Sequence, residues 1–268
     1  MLLVVSVAFL GAQHIHLNAG AVAPTQDARL SFVNGPTYDT NAGYNVYLTL
    51  TNAGLFAGLY QGAGVSFTAL ASSLDNGGPA FGHAADGAFL QLQFISVDGP
   101  ADGIFGVWMR DAANPAVSTL LFALPVGTTN GTNRVALSEG DGTPGSDPYG
   151  HIHGRTFTAT QPGLYTLGCR ILDTSRNGAD SRPIHTPSAI HYFYFQAGLT
   201  LSSRLASPSS ILLNFGTATG KTYHLESASE LQVPHWTTVA GPFNGNNFLQ
   251  STVVARTPSQ MFFRIRSN

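Results

Sequence analysis

The stretch Phe89-Leu90-Gln91-Leu92-Gln93-Phe94-Ile95-Ser96-Val97, closed by Asp98-Gly99, decides the fold class. Its middle alternates apolar and polar side chains, which an extended strand sends to opposite faces. Its end is a turn pair in which glycine accepts a positive φ. Tyr44-Asn45-Val46-Tyr47-Leu48-Thr49-Leu50 repeats the pattern. Working outward, the same period predicts strands near 14–18, 29–33, 44–51, 64–70, 88–97, 104–109, 118–124, 133–137, 151–159, 164–172 and 189–196. Turn pairs separate them, among them Asn34-Gly35, Asn76-Gly77, Asp102-Gly103, Asn130-Gly131, Asp141-Gly142 and Pro162-Gly163. No segment carries an apolar stripe of helical period. Strands at this spacing without helices predict an all-β chain with an antiparallel β-sandwich as its main unit.

Composition points the same way. Charged residues are 10% of the 268, Lys221 is the only lysine, and glutamate occurs only at 139, 226 and 230. Good helix formers are thus scarce, while Gly (30) and Pro (15) are plentiful. The net charge of −2 and the absence of a basic run argue against nucleic acid as a partner. A lone cysteine, Cys169, rules out an internal disulfide and a cysteine-based zinc site.

Residues 2–12, LLVVSVAFLGA, form an apolar run of signal-peptide length ending in small residues, although no basic segment precedes it. The expected product is secreted or displayed at the cell surface. Cleavage after Ala12 or Ala23 fits the small-residue rule, with Pro24 disfavouring the second. No apolar run is long enough to span a bilayer once the signal is removed.

The domain reading is therefore a signal segment at 1–12, a main β-sandwich at 13–197 and a small β-domain at 198–268. Short strands are expected in the last unit near 199–205, 210–215, 222–227, 236–240, 247–255 and 260–266. About 70 residues make a marginal core, so this unit is expected to dock on its neighbour.

Nine histidines include two His-Ile-His pairs, His14-Ile15-His16 and His151-Ile152-His153. On a strand the two imidazoles of a pair share a face and can reach one ion. Neutral imidazole suits Zn, Cu, Ni or Fe, of which Zn or Cu is the expected ion. With His191 as a further ligand, the predicted metal set is His14, His16, His151, His153 and His191. His83, His185, Asp141 and Asp147 are other donors. The acidic loop 139–147 offers oxygen ligands to calcium, without EF-hand spacing. The plainer alternative is a set of half-exposed, hydrogen-bonded histidines.

If Gln161-Pro162-Gly163-Leu164 closes a hairpin, Arg155 faces Arg170 beside His153, which would suit an anion or carboxylate. Tyr165, Leu167, Cys169 and Ile171 then form the core face.

Two resemblances attach to these motifs. Gly150-His151-Ile152-His153, Phe157-Thr158 and Pro162-Gly163-Leu164-Tyr165-Thr166-Leu167 resemble the core of the bacterial surface-anchored repeats labelled choice-of-anchor M. The match lies over about 150–172; the tryptophan usual after the His pair and a sorting motif are missing. Tyr223-His224-Leu225-Glu226-Ser227, His235-Trp236-Thr237-Thr238 and Met261-Phe262-Phe263-Arg264 are similar to an immunoglobulin- or fibronectin-like module ending many secreted Verrucomicrobia and Planctomycetes proteins. Together they imply export and an attachment or structural role.

Elbow, zincin, P-loop and dinucleotide motifs are absent from the sequence. The leading expectation is a non-enzymatic exported binding or structural protein, meeting an extracellular or cell-surface ligand and carrying a His-based Zn or Cu site. A secreted Cu/Zn metalloenzyme is the first alternative. A carbohydrate-binding sandwich using Trp108, Tyr149 or Trp236 is the second.

Overall fold

The computed structural model describes residues 15–62, 65–73, 82–110, 117–152, 155–256 and 261–268. Among these residues there is no α-helix. Short 3-10 turns occur at Gly35–Thr37, Gly54–Phe56 and Ala179–Ser181. The strands are β1 (Ile15–Ala21), β2 (Leu30–Phe32), β3 (Asn45–Leu50), β4 (Tyr60–Gly62), β5 (Val65–Ala69), β6 (Leu90–Asp98), β7 (Ile104–Arg110), β8 (Ser118–Pro125), β9 (Asn133–Ala136), β10 (Gly150–Ile152), β11 (Arg155–Ala159), β12 (Gly163–Asp173) and β13 (His191–Ala197). After Gly198 come β14 (Leu201–Ser207), β15 (Ser210–Gly216), β16 (Thr222–Ala228), β17 (Thr237–Asn244), β18 (Leu249–Ala255) and β19 (Phe262–Ser267). The chain is all-β.

Nine strands form one sheet in the order β8-β7-β11-β4-β3-β13-β12-β6-β9. This sheet folds over on itself. β6 and β7 lie near opposite ends of that order, yet only residues 99–103 connect them. Rings from the two halves meet in the middle: Phe195 of β13 sits 4.9 Å from both Phe105 of β7 and Phe157 of β11. Phe94 of β6 meets Phe122 of β8 at 5.7 Å. Beside them a four-stranded sheet, β10-β5-β1-β2, packs on the same core through Phe67 and Phe193, at 6.0 Å. The strand period explains the burial: Tyr165, Leu167, Cys169 and Ile171 are all at most 1% exposed.

Three expectations are corrected. β11 and β12 do not form a hairpin, because β11 pairs with β4 and β7 while β12 pairs with β6 and β13. The turn between them carries the chain from one layer to the other. The Tyr165 hydroxyl holds it there, donating to Gln161 O (3.1 Å) and accepting from Gln161 N (3.2 Å). Arg155 therefore faces Met109, and Arg170 faces Gln93. The expected strand 151–159 is two strands on different sheets, β10 and β11. Two pairings, β1 with β5 and β13 with β3, are parallel within the otherwise antiparallel architecture. β4 was not foreseen: three residues ending in glycine carry too little alternation to register.

The last six strands form two three-stranded sheets, β14-β15-β18 and β17-β16-β19. Phe215 meets Tyr223 and Phe243 between them, at 6.0 and 5.5 Å. The residues of the module motif share one network. Glu226 accepts from Arg264 Nε (2.7 Å) and Arg266 Nε (2.8 Å), and the Arg264 guanidinium lies 4.3 Å above the Trp236 ring. The unit touches the main sandwich where Asn45 N donates to Asn247 O (2.8 Å) and Tyr44 meets Phe248 edge-on at 5.8 Å.

Candidate metal centre

β5 lies between β1 and β10, and the register sets four side chains on one face. Ser66 stands opposite His16, and Thr68 opposite His151. Ile15, Leu17, Val65, Phe67 and Ile152 take the other face, which is the core. The core residues thus fix the direction of the histidines. Their Cα atoms are two strand spacings and two residues of rise apart, about 12 Å, so the rings must lean over β5 to meet. They do: His16 Nδ1 and His151 Nε2 are 2.9 Å apart, with ring centroids at 4.6 Å and a tilt of 53°. The Thr68 hydroxyl is 3.1 Å from the same His16 nitrogen.

As two neutral imidazoles this is one N–H donating to a bare ring nitrogen. The separation also suits two ligands on one ion. With metal–nitrogen bonds of about 2.0–2.1 Å, cis nitrogens stand roughly 2.9–3.4 Å apart between right-angle and tetrahedral geometry. The loop before β10 fixes the second histidine, since His151 N donates to Glu139 Oε1 (3.1 Å) and Glu139 N to Tyr149 O (2.9 Å).

His14 and His153 lie outside the described residues. His191 is not joined to the pair. It faces Cys169 on β12, meets Phe193 edge-on at 4.4 Å and Phe32 at a tilt at 5.4 Å, and bonds through Nε2 with Tyr38 O (3.2 Å). Phe32 pairs with Ala19, so His191 belongs to the core side of the four-stranded sheet and the His16–His151 pair to its outer side. Burial holds the His191 imidazole below its ordinary pKa, favouring the neutral form. His185 is buried with Nδ1 3.3 Å from Ala28 O.

The acids of the 139–147 loop turn to separate donors. Asp141 accepts from Thr143 N and Oγ1, while Asp147 accepts from Ser72 N, Ser73 N, Ser73 Oγ and Tyr149 N. Each closes a turn, and no group of three or more His, Cys, Asp or Glu side chains converges as a metal cage among the described residues. Cys169 is fully buried, which pushes its thiol pKa up and keeps it protonated.

The three aromatic candidates lie apart. Trp108 donates to Thr158 Oγ1 (2.9 Å) and meets Phe56 edge-on, Trp236 is covered by Arg264, and Tyr149 closes the loop before β10. Among the described residues no helix is long and apolar enough to cross a membrane.

No family model matches the chain, and no curated protein matches it. Among solved structures it is similar to the FN1–FN3 domains of chicken CNTN1, at 9% identity and a TM-score of 0.17. That alignment covers 62% of this chain and 50% of the other. A likeness this weak carries nothing beyond the all-β character already visible in the strands.

Proposed function

We propose that this protein is a non-enzymatic binding or structural module of the cell exterior that holds one Zn or Cu ion on its His16–His151 face. The observation that carries the metal is the 2.9 Å approach of two ring nitrogens from strands that flank a third. Folding brings the nitrogens together from sequence positions 135 residues apart. The pair sits part-buried on the face of the sheet turned away from the core, and the Thr68 hydroxyl is within reach of it. Export is supported by the apolar run at 2–12, and by the resemblance of 150–172 and 199–268 to parts of surface-anchored and secreted bacterial proteins.

The test is elemental mass spectrometry on the full chain, purified from its native compartment and again after loading with Zn or Cu. Near-stoichiometric metal that disappears in the His16→Ala/His151→Ala variant is the expected result. Wild-type protein that takes up neither metal would overturn the reading and leave the pair as a hydrogen-bonded clamp between strands.

A further inference from the structure

The outer face of β13-β12-β6-β9 carries chemistry that the metal reading does not use. Alternation sends Phe193 and Phe195 into the core and leaves Tyr192 and Tyr194 on this face. Tyr192 is 41% exposed and opposes Gly168 on β12. A Cβ on Gly168 would lie 3.0 Å from Tyr192 Cε1, so the ring lies over the bare backbone there, an exposed aromatic platform on the sheet. Ser96, opposite Gly168 on β6, sets its hydroxyl against the same spot.

Two residues along β12 stands Arg170. Its Nε donates to Gln93 Oε1 (2.7 Å), and Gln93, 3% exposed, is itself held by a bond to Gly131 O. The guanidinium is thus anchored through its Nε on a residue that is half-buried. Arg134 on the edge strand β9 stands opposite Gln93 on its other side and is exposed. Among the described residues neither arginine joins an ion pair; the three ion pairs use Arg182, Arg264 and Arg266. The C-terminal unit meets the sheet at Gln196 of β13 and at Asn45 of the neighbouring β3, where both pack against Gly216.

We propose that this face binds an acidic polysaccharide. A sugar ring stacks on Tyr192, and carboxylates or sulfates of neighbouring units pair with Arg170 and Arg134. A planar guanidinium accepts either anion with two parallel bonds. From β13 to β9 is three strand spacings, about 14 Å, the length of a short oligosaccharide rather than of one sugar. The hydroxyls of Ser96 and Thr166 and the amide of Gln91 suit a hydroxylated chain better than an apolar peptide, while the exposed Asp98, opposite Thr166 at the end of β6, accepts from Gly99 N and leaves the Arg170–Arg134 end as the positive one. With a net charge of −2, contact at this patch and not long-range attraction supplies the affinity. The proposal shares the exterior setting of the module but not its metal.

The experiment is affinity electrophoresis of the full chain through gels containing polygalacturonate, dextran sulfate, plain dextran or poly-glutamate, with and without a chelator. Retardation by polygalacturonate or dextran sulfate, unchanged by the chelator, is expected, and which of the two works distinguishes carboxylate from sulfate. Arg134→Gln/Arg170→Gln should weaken binding at least tenfold, Tyr192→Ala several-fold, and Arg204→Gln on β14 not at all. Arg170→Lys, which keeps the charge, guards against a folding artefact and should still weaken binding. No retardation by either acidic polymer, equal loss with Arg204→Gln, or equal binding of poly-glutamate would each overturn the proposal.

Discussion

The main sandwich and the C-terminal unit use the same strand grammar and reach stability by different means. The main unit joins 31 buried apolar residues from Leu17 to Ala197 in one cluster. The small unit buries Leu213, Phe215, Tyr223, Leu225 and Ala228, and otherwise relies on the Glu226–Arg264–Arg266 network, the arginine stacked on Trp236, and a docking contact through Phe248. The difference follows from size, since a short chain cannot enclose much apolar volume. It teaches that the Glu, Trp and Arg of the terminal motif act as one framework that substitutes for missing core.

The sharpest way to break the comparison is to cut one ring from each core. Phe195→Ala removes a side chain 1% exposed from between Phe105 and Phe157. It should cost about 3–5 kcal/mol in denaturant unfolding. Phe215→Ala should cost a similar amount but unfold the small unit alone, seen as loss of its amide protection while β12 stays protected. Joint unfolding of both units would show that the docking contact, and not the small core, sets the stability of the terminal unit.

A milder test is electrostatic. The two arginines hold the Glu226 carboxyl below its ordinary pKa of 4.5. A depressed carboxylate adds stability that is complete above 4.5 and fades as pH falls through the lower folded value. The small unit should therefore lose thermal stability below about pH 4.5, and Glu226→Gln should be less stable at neutral pH with a flatter acid limb. A main unit that loses as much over that range would remove the contrast.

The smallest effect lies in the main unit. His191 has its pKa lowered from 6.5 by burial. Below 6.5 the unfolded chain takes up the proton more readily, so stability declines as pH falls through that value. His191→Gln should flatten this decline between pH 7 and 5, measured by urea titration. An unchanged slope would place the proton uptake elsewhere.

Much of this was legible locally. Turn pairs and alternation locate nearly all strands within a few residues, and the core face of Tyr165, Leu167, Cys169 and Ile171 follows from period alone. The pairing was less legible. Pro162-Gly163 carries the signature of a hairpin turn, but whether such a turn reverses within a sheet or crosses to other strands is set by the distant partners of β11 and β12. The candidate site divides the same way. His-x-His spacing marks strands with histidines on one face. That His16 and His151 meet across β5 needs a parallel pairing that no local signal encodes. His191 has the right chemistry for a ligand, yet its strand places it among phenylalanines.

The position of β1 has a consequence in time. The first described strand is also an interior one, flanked by β5 and β2, and β5 is in turn closed by β10. A chain made from its N-terminus must hold β1 unsatisfied until Val65–Ala69 arrives, and the sheet stays unfinished until Gly150–Ile152 does. Such long-separation closures are slow. The meeting of His16 with His151 thus marks the completion of the four-stranded sheet, one step before β11, β12 and β13 complete the larger one.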